Sequence, residues 1–180
     1  MARLVFGLMQ SLDGYVSGPE GGPGLPMPDD VLTAHFSDQL RRTTGSLYGR
    51  RMYEIMRYWD QDEAEQEEAG REFALAWRSK PKWVVSRTLK SVGANATLVD
   101  GDLETFVRAL KAEQEGVIEV AGPELAGNLA KLGLLDEYQL YLCPVVLGSG
   151  KPFFTGPRPP LRLVASEQIG DTMRLTYATA

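Results

Sequence analysis

The chain has 180 residues, with 19 basic and 24 acidic side chains and a formal net charge of −5. This length and an apolar fraction of 43% predict a single globular domain spanning residues 1–180. Because Cys143 and His35 are the only residues of their types, a disulfide framework and a His/Cys metal site are excluded, and the acidic balance argues against a nucleic-acid partner.

Two apolar stretches bear on the location of the protein. The run from Leu4 to Met9 is too short and too early for a signal peptide with a cleavage site. The stretch from Leu140 to Leu147 is broken by Pro144 and is far below the roughly 20 residues of a membrane span. We therefore expect a cytoplasmic protein with no membrane partner.

Strands and helices alternate over the first two thirds of the chain. Leu4–Met9 has the continuous apolar pattern of a strand covered on both faces. A Gly- and Pro-rich loop follows at residues 18–28. The later candidates, in order, are a helix capped by Asp29, a strand at Ser46–Tyr48, a helix from Gly49, an acidic stretch at 60–68 leading into a helix with Phe73 and Trp77, a strand at Lys82–Val85, a helix capped by Asp102, a strand at Val117–Ala121 and a helix from Gly122 to Gly133.

The last third of the chain has a different pattern. Three strands are predicted at Tyr138–Leu147, Leu161–Ile169 and Met173–Ala178, with no helix between them. Alternating elements form a parallel sheet with helices on both faces, and consecutive strands add to it antiparallel. The sequence therefore predicts a three-layer αβα fold of the α/β class, with a mixed, mainly parallel sheet and antiparallel C-terminal strands.

Three junctions after predicted strands carry chemistry suited to anions. Gly49-Arg50-Arg51-Met52 places two arginines at a helix start, where the helix dipole disfavours them unless a phosphate binds there. Ser86-Arg87-Thr88 combines two hydroxyl groups with a guanidinium, although ordinary loops also have this composition. Gly122-Pro123-Glu124-Leu125 opens a helix, where glycine allows close approach of a ligand to the backbone. Ligands of open α/β sheets bind at such strand ends.

The order of several short motifs resembles a known family. They are Ser11-Leu12-Asp13-Gly14-Tyr15, Gly49-Arg50-Arg51-Met52-Tyr53-Glu54, Val85-Ser86-Arg87-Thr88-Leu89, Gly122-x-Glu124-Leu125, Leu135-Asp136-Glu137 and Pro144-Val145-Val146-Leu147-Gly148-Ser149-Gly150-Lys151-Pro152-Phe153-Phe154. Together they resemble the dihydrofolate reductase-like family that includes the C-terminal reductase domain of bifunctional riboflavin-biosynthesis proteins. The resemblance implies a dihydrofolate-reductase-like fold. It also implies that NADPH is the hydride donor.

The resemblance also implies roles for the three junctions. Gly49, Arg50, Arg51 and Met52 would hold the cofactor phosphates, and Ser86, Arg87 and Thr88 the adenosine 2′-phosphate. Gly122, Pro123, Glu124 and Leu125 would cradle the pyrophosphate, and residues 11–17 would match a mobile loop over the nicotinamide. The chain has Pro123 where the family usually has a second glycine, so one backbone donor is absent.

Candidates for the substrate region follow from the expected hydride transfer to a C=N bond of a pterin-like or pyrimidine-like molecule. Asp30 would anchor the substrate and assist protonation, with helix capping as the alternative for Asp29 and Asp30. Asp13, Tyr53, Trp59 and Lys151 are substrate candidates, each with a structural alternative in a turn or in packing. His35 follows one turn later and has no catalytic assignment.

Other functions and an oligomer stay open at this point. One alternative is the riboflavin-pathway 5-amino-6-(5-phosphoribosylamino)uracil reductase, although the chain lacks the fused deaminase and its zinc ligands. An alternative of another class is a non-catalytic nucleotide-binding protein. The apolar residues of Tyr138–Leu147 offer a surface for a homodimer.

Overall fold

The computed structural model describes residues 1–19, 24–65, 67–157 and 159–180. The strands are β1 (Arg3–Gln10), β2 (Tyr15–Ser17), β3 (Gly45–Gly49), β4 (Lys82–Val85), β5 (Ala96–Val99), β6 (Val117–Ala121), β7 (Glu137–Leu142), β8 (Lys151–Pro152), β9 (Leu161–Ile169) and β10 (Thr172–Thr179). The helices are α1 (Asp30–Arg42), α2 (Arg50–Met56), α3 (Glu68–Ser79), α4 (Leu103–Glu113) and α5 (Pro123–Lys131). Part of the predicted glycine-rich loop, residues 20–23, lies outside the described ranges.

One eight-stranded sheet organises these elements, in the order β5-β4-β3-β6-β1-β7-β10-β9. In this order, each pair of adjacent strands between β5 and β7 is parallel. β10 then pairs antiparallel with β7, and β9 pairs antiparallel with β10. The predicted fold class is therefore confirmed, because consecutive strands without a crossover helix can join only in antiparallel fashion.

Helices cover both faces of the sheet, as the alternation of buried side chains requires. On one face, Val107 of α4 and Leu129 of α5 pack with Leu47 of β3. On the other face, Trp77 of α3 packs with Tyr48, the next residue of β3. Successive strand residues point to opposite faces, so a strand covered on both sides is apolar throughout.

Three helix starts follow local rules that the sequence displays. The Asp29 carboxylate accepts the amide N–H of Leu32 at 2.8 Å, and the Asp102 carboxylate accepts that of Thr105 at 2.8 Å. Pro123 is the first residue of α5, where no intrahelical acceptor exists for an N–H. These caps set the point where each chain segment turns away from the sheet.

The predicted strand at 138–147 is too long. β7 ends at Leu142, and residues 143–150 form a loop that returns to the segment after β1. The amide N–H of Leu12 donates to the carbonyl of Val145 at 2.8 Å, so the apolar residues after Cys143 pack in a loop instead of continuing the ladder. β2, β5 and β8, which have three, four and two residues, were not predicted.

Candidate active site

The three predicted anion-binding junctions lie side by side at one edge of the sheet. β3 ends at Gly49, β4 at Val85 and β6 at Ala121, and β3 lies between the other two strands. Because all three strands are parallel, their carboxyl ends meet at the same edge. The order of strands therefore brings together segments that are far apart in the sequence.

Arg50 connects the first junction to the second. Its Nη1 atom donates to Oγ1 of Thr88 at 2.7 Å, and its Nε atom donates to Oε1 of Glu54 at 2.8 Å. The Glu54 contact supplies an acidic partner one turn along α2, which relieves part of the conflict between arginine and the start of the helix. The neighbouring Arg51 has 82% of its side chain exposed and extends into solvent.

Ser86 shapes the second junction from inside. Its side chain is buried, and its Oγ atom accepts the amide N–H groups of Thr88 and Leu89 at 3.2 and 3.0 Å. The hydroxyl group therefore holds the turn in shape and leaves Arg87, which is exposed, at the tip. Arg87 is the one cation among the three predicted ligand residues of this junction, and its side chain is accessible to a ligand.

Gly122 joins the third junction to the first. Its φ of +119° belongs to a region that side chains rarely adopt, and a Cβ atom there would lie 3.7 Å from the backbone nitrogen of Gly49 and 3.9 Å from Cβ of Met52. α5 begins at Pro123, so the amides of Glu124 and Leu125 lie in a first turn that offers them no intrahelical acceptor. These two N–H groups are the donors available to an anion.

Glu124 places an acid among the cations of this edge. Its Oε1 atom accepts from Nζ of Lys151 at 2.8 Å and lies 3.8 Å from Nη1 of Arg51. The hydrogen bond and charge of Lys151 lower the pKa of the Glu124 carboxyl below its usual value. Lys151 is thus adjacent to the third junction, and Lys151 and Arg51 each have Glu124 as an acidic partner within the chain.

Asp13 holds a loop. Its two carboxylate oxygens accept the amide N–H groups of Leu147 and Gly148 at 3.1 and 2.7 Å. A hydrogen bond from Ser11 lowers the pKa of the Asp13 carboxyl. Residues 15–17 form β2, which pairs with β8, so the segment expected to be a mobile loop is tied to residues 145–153 by strand pairing and by these contacts. The carboxylate of Asp13 thus anchors the loop at residues 147–148, and its substrate role stays a prediction.

Tyr53 and Trp59 are held by packing. Tyr53 is 2% exposed, and its hydroxyl accepts the amide N–H of Gly93 at 2.8 Å, which anchors the connection between β4 and β5. The Trp59 ring packs against Phe73 of α3 with centroids 4.5 Å apart. These contacts correspond to the packing alternatives that the sequence left open for both residues.

Asp30 lies on the side of α1 that faces α3. It is exposed, and it lines a groove of about 800 Å³ whose walls come from α1 and from residues 67–72. The residues of α1 that face the sheet here are Leu32 and Phe36. Asp29, not Asp30, caps the helix. Asp30 therefore lies in this groove and not at the three junctions, and its catalytic role stays a prediction.

A row of polar side chains beneath α1 was not predicted from the sequence. Oγ of Ser46 donates to Oε2 of Glu119 at 3.0 Å, and burial raises the pKa of that carboxyl. The Tyr141 hydroxyl donates to Oε1 of Gln39 at 2.8 Å and lies 3.1 Å from Nε2 of His35. Glu119 interrupts an otherwise apolar strand, and that interruption was the available signal.

Within the described ranges, no group of three or more His, Cys, Asp or Glu side chains is placed to hold a metal ion. No helix of the described residues is long and apolar enough to cross a membrane.

Comparison with known proteins identifies relatives over the whole chain. The chain is 30% identical over 165 residues to the uncharacterized protein YyaP of Bacillus subtilis, covering 89% of this chain and 85% of YyaP. A putative riboflavin biosynthesis protein from Shewanella sp. PV-4 has a similar structure, with a TM-score of 0.77, 26% identity, and coverage of 100% of this chain and 99% of that one.

Dihydrofolate reductase from Enterococcus faecalis, in a complex with NADP(H) and RAB-propyl, shares the fold. Its TM-score is 0.65 at 13% identity, with coverage of 98% of this chain and 96% of the reductase. The family model for the RibD C-terminal domain matches residues 2–175. The chain therefore belongs to the RibD C-terminal domain family, within the dihydrofolate reductase-like fold.

Proposed function

We propose that the protein is an NADPH-dependent reductase that transfers hydride to a C=N bond of a pterin-like or pyrimidine-like small molecule. The observation that carries the proposal is the meeting of three junctions around Gly49, with Arg50 joined to Thr88 and Gly122 packed against the first junction. Membership of the RibD C-terminal domain family and the fold shared with dihydrofolate reductase from Enterococcus faecalis support the same class of chemistry.

The residues at this edge fit the phosphates of a dinucleotide. Arg51 and Arg87 present exposed guanidinium groups, and the first-turn amides of α5 present N–H donors beside a glycine without a side chain. A bound NADPH would supply the hydride. The chain would orient the cofactor through these groups, and Ser86 would keep the turn around Arg87 in shape.

A binding titration tests the proposal first. We expect saturable binding of NADPH by fluorescence, with NADH binding more weakly because it lacks the 2′-phosphate that Arg87 would contact. Arg87→Gln should narrow the difference between the two nucleotides, whereas Arg108→Gln, an equivalent change on the remote helix α4, should leave it intact. Absence of saturable binding of either nucleotide would contradict the proposal.

The substrate is tested by NADPH oxidation with dihydrofolate, dihydropterins and the deaminated riboflavin precursor. Turnover of the precursor would favour the riboflavin-pathway reductase, for which the family match and the Shewanella relative provide support. Cofactor binding without turnover of any of these compounds would favour a non-catalytic nucleotide-binding protein. Asp30→Asn would then show whether Asp30 serves as the proton donor, since unchanged turnover would remove it from that role.

A further inference from the structure

The small sheet of β2 and β8 links two segments that are far apart in the chain. Its strands pair Ser17 with Lys151, and the amide N–H of Phe153 donates to the carbonyl of Gly14 at 2.9 Å. The pairing is close, since a Cβ atom on Gly150 would collide with the carbonyl oxygen of Ser17. The segment that follows β1 and the segment that contains β8 must therefore move together.

The Lys151 side chain extends from this small sheet to the start of α5. Its Nζ atom donates to Oε1 of Glu124 at 2.8 Å, and Nη1 of Arg51 lies 3.8 Å from the same oxygen. Further along the segment that contains β8, Oγ1 of Thr155 donates to the carbonyl of Pro123 at 2.7 Å. This segment therefore follows the first turn of α5, and one carboxylate oxygen joins a cation of β8 to a cation of α2.

The Glu124 carboxylate is placed as a bound anion would be. It belongs to the first turn of α5, where the helix dipole favours negative charge, and it contacts two cations. Because the side chain is 68% exposed, it can turn into solvent when another anion takes its place. A pyrophosphate carries a negative charge on each phosphate, so it can contact both Lys151 and Arg51.

The order of the strands shows which part of a dinucleotide Lys151 can reach. Along the edge of the sheet, the strands follow in the order β4, β3, β6 and β1. The proposed contacts run from the adenosine 2′-phosphate at residues 86–88, after β4, to the pyrophosphate at residues 122–125, after β6. The nicotinamide end then lies toward β1. Because β2 follows β1 in the chain, Lys151 approaches the pyrophosphate from the nicotinamide side.

We propose that Lys151 binds the cofactor phosphate nearest the nicotinamide, and that Glu124 holds this lysine in place until the phosphate displaces its carboxylate. The phosphate then fixes the small sheet of β2 and β8, and residues 11–17 with it. Lys151 can act in this way only if a dinucleotide binds at the three junctions, so this role rests on the proposed function. It gives Lys151 a cofactor role in place of the substrate role predicted from the sequence.

Three nucleotides distinguish this role by isothermal titration calorimetry. They are NADPH, 2′-phospho-ADP-ribose, which lacks the nicotinamide, and adenosine 2′,5′-bisphosphate, which also lacks the second phosphate of the pyrophosphate. We expect Lys151→Met to raise the dissociation constants of the first two by about tenfold, because a charge-assisted hydrogen bond is lost, and to leave the third unchanged. Lys151→Arg keeps the charge and should retain most of the affinity. Lys131→Met, at the exposed far end of α5, is the matched control and should bind all three as the wild type does.

Hydrogen exchange tests the link to residues 11–17. Because 2′-phospho-ADP-ribose has no nicotinamide, slower exchange in this segment must arise through the phosphate contact. At saturating concentrations of this nucleotide, we expect slower exchange in the wild type, in Lys151→Arg and in Lys131→Met, and no slowing in Lys151→Met. Exchange that slows equally in the wild type and Lys151→Met, or in neither, would overturn the link.

The remaining outcomes separate this role from the proposed function. Equal affinity of the wild type and Lys151→Met for NADPH would overturn the role of Lys151 and leave the proposed function intact. An equal loss of affinity for adenosine 2′,5′-bisphosphate would also overturn it, since that nucleotide lacks the phosphate concerned. A wild type that binds none of the three nucleotides would overturn both. A thermal melt checks that Lys151→Met is folded, and Lys151→Gln provides the same test if it is not.

Discussion

The Nη1 atom of Arg50 donates to Oγ1 of Thr88 across 2.7 Å and so joins the loops after β3 and β4. The two residues are 38 positions apart in the chain. Because the Ser86 hydroxyl accepts the backbone N–H groups of Thr88 and Leu89, the turn that carries Thr88 is fixed and the guanidinium has a defined position before any ligand binds. An arginine held in this way loses little conformational entropy when it contacts a phosphate.

Replacing Arg50 tests this preorganised site. We expect Arg50→Met to weaken NADPH binding by about tenfold or more, since a charge-assisted hydrogen bond contributes about 1.5–3 kcal/mol. Fluorescence titration measures the change, and a thermal melt should show little loss of stability because Arg50 is exposed. Thr88→Val keeps the charge and removes the acceptor, so we expect a smaller loss. Equal affinity of wild type and Arg50→Met would exclude a role in cofactor binding.

Glu124 should oppose an anionic cofactor. Its carboxylate neutralises Lys151 and Arg51, and it repels phosphates near the start of α5. We therefore expect Glu124→Gln to lower the dissociation constant for NADPH by about three- to tenfold, an effect that salt should diminish. The matched control is Glu104→Gln, which removes the acidic partner of Arg108 on α4. Weaker binding by Glu124→Gln would indicate that the Glu124 side chain contacts the cofactor, in line with the cofactor-binding role that the resemblance implies for residues 122–125.

Lys82 should make the free energy of unfolding depend on pH. The side chain is 2% exposed, and burial lowers its pKa from 10.5 to about 8. In this range the unfolded chain binds more protons than the folded one, so stability should rise as the pH increases from about 8 to about 10.5. The shift corresponds to a difference on the order of 3 kcal/mol.

The variant Lys82→Met should remove that dependence. We expect it to be more stable than the wild type at pH 7, by about 1–3 kcal/mol after loss of the contact with the Trp77 ring, whose centroid is 4.1 Å from Nζ. Urea denaturation at a series of pH values provides the measurement. Lys131→Met, at an exposed position, serves as the control and should follow the wild-type curve.

Glu119 should destabilise the fold as it ionises. Burial raises the pKa of its carboxyl above 4.5, so the unfolded chain loses this proton at a lower pH than the folded chain does. Stability from this group is therefore lost as the pH rises from the unfolded to the folded pKa. Glu119→Gln, which stays neutral, should lack this decline in urea denaturation, whereas Glu113→Gln at an exposed position should retain it.

Elements with a strong periodic pattern were predictable. The apolar stripe of α1 and the Asp102 cap of α4 follow from residues close in sequence, and the change from alternating elements to consecutive strands predicted the mixed sheet. The end of β7 was not predictable, because Val145 and Val146 continue an apolar run. Hydrogen bonds from the distant Leu12 and to the distant Asp13 decide that these residues leave the ladder.

The candidate site was predictable only as a set of neighbouring loops. Strand order brings Gly49 and Gly122 together, and parallel topology follows from the pattern of elements. Side-chain contacts were not accessible in the same way. The same residue type serves as a cap at Asp29, as a loop anchor at Asp13 and as a groove residue at Asp30, and only the surrounding backbone distinguishes these roles.

The position of β10 has a consequence for how the chain reaches its final state. β10 lies between β7 and β9, although it is formed by residues 172–179, near the C-terminal end of the sequence. During synthesis, β7 must therefore remain unpaired on the β10 side until residues 172–179 have emerged from the ribosome. Deleting residues 172–180 would remove the strand that joins β9 to the sheet, so the deletion should leave the outer side of β7 unpaired and β9 detached.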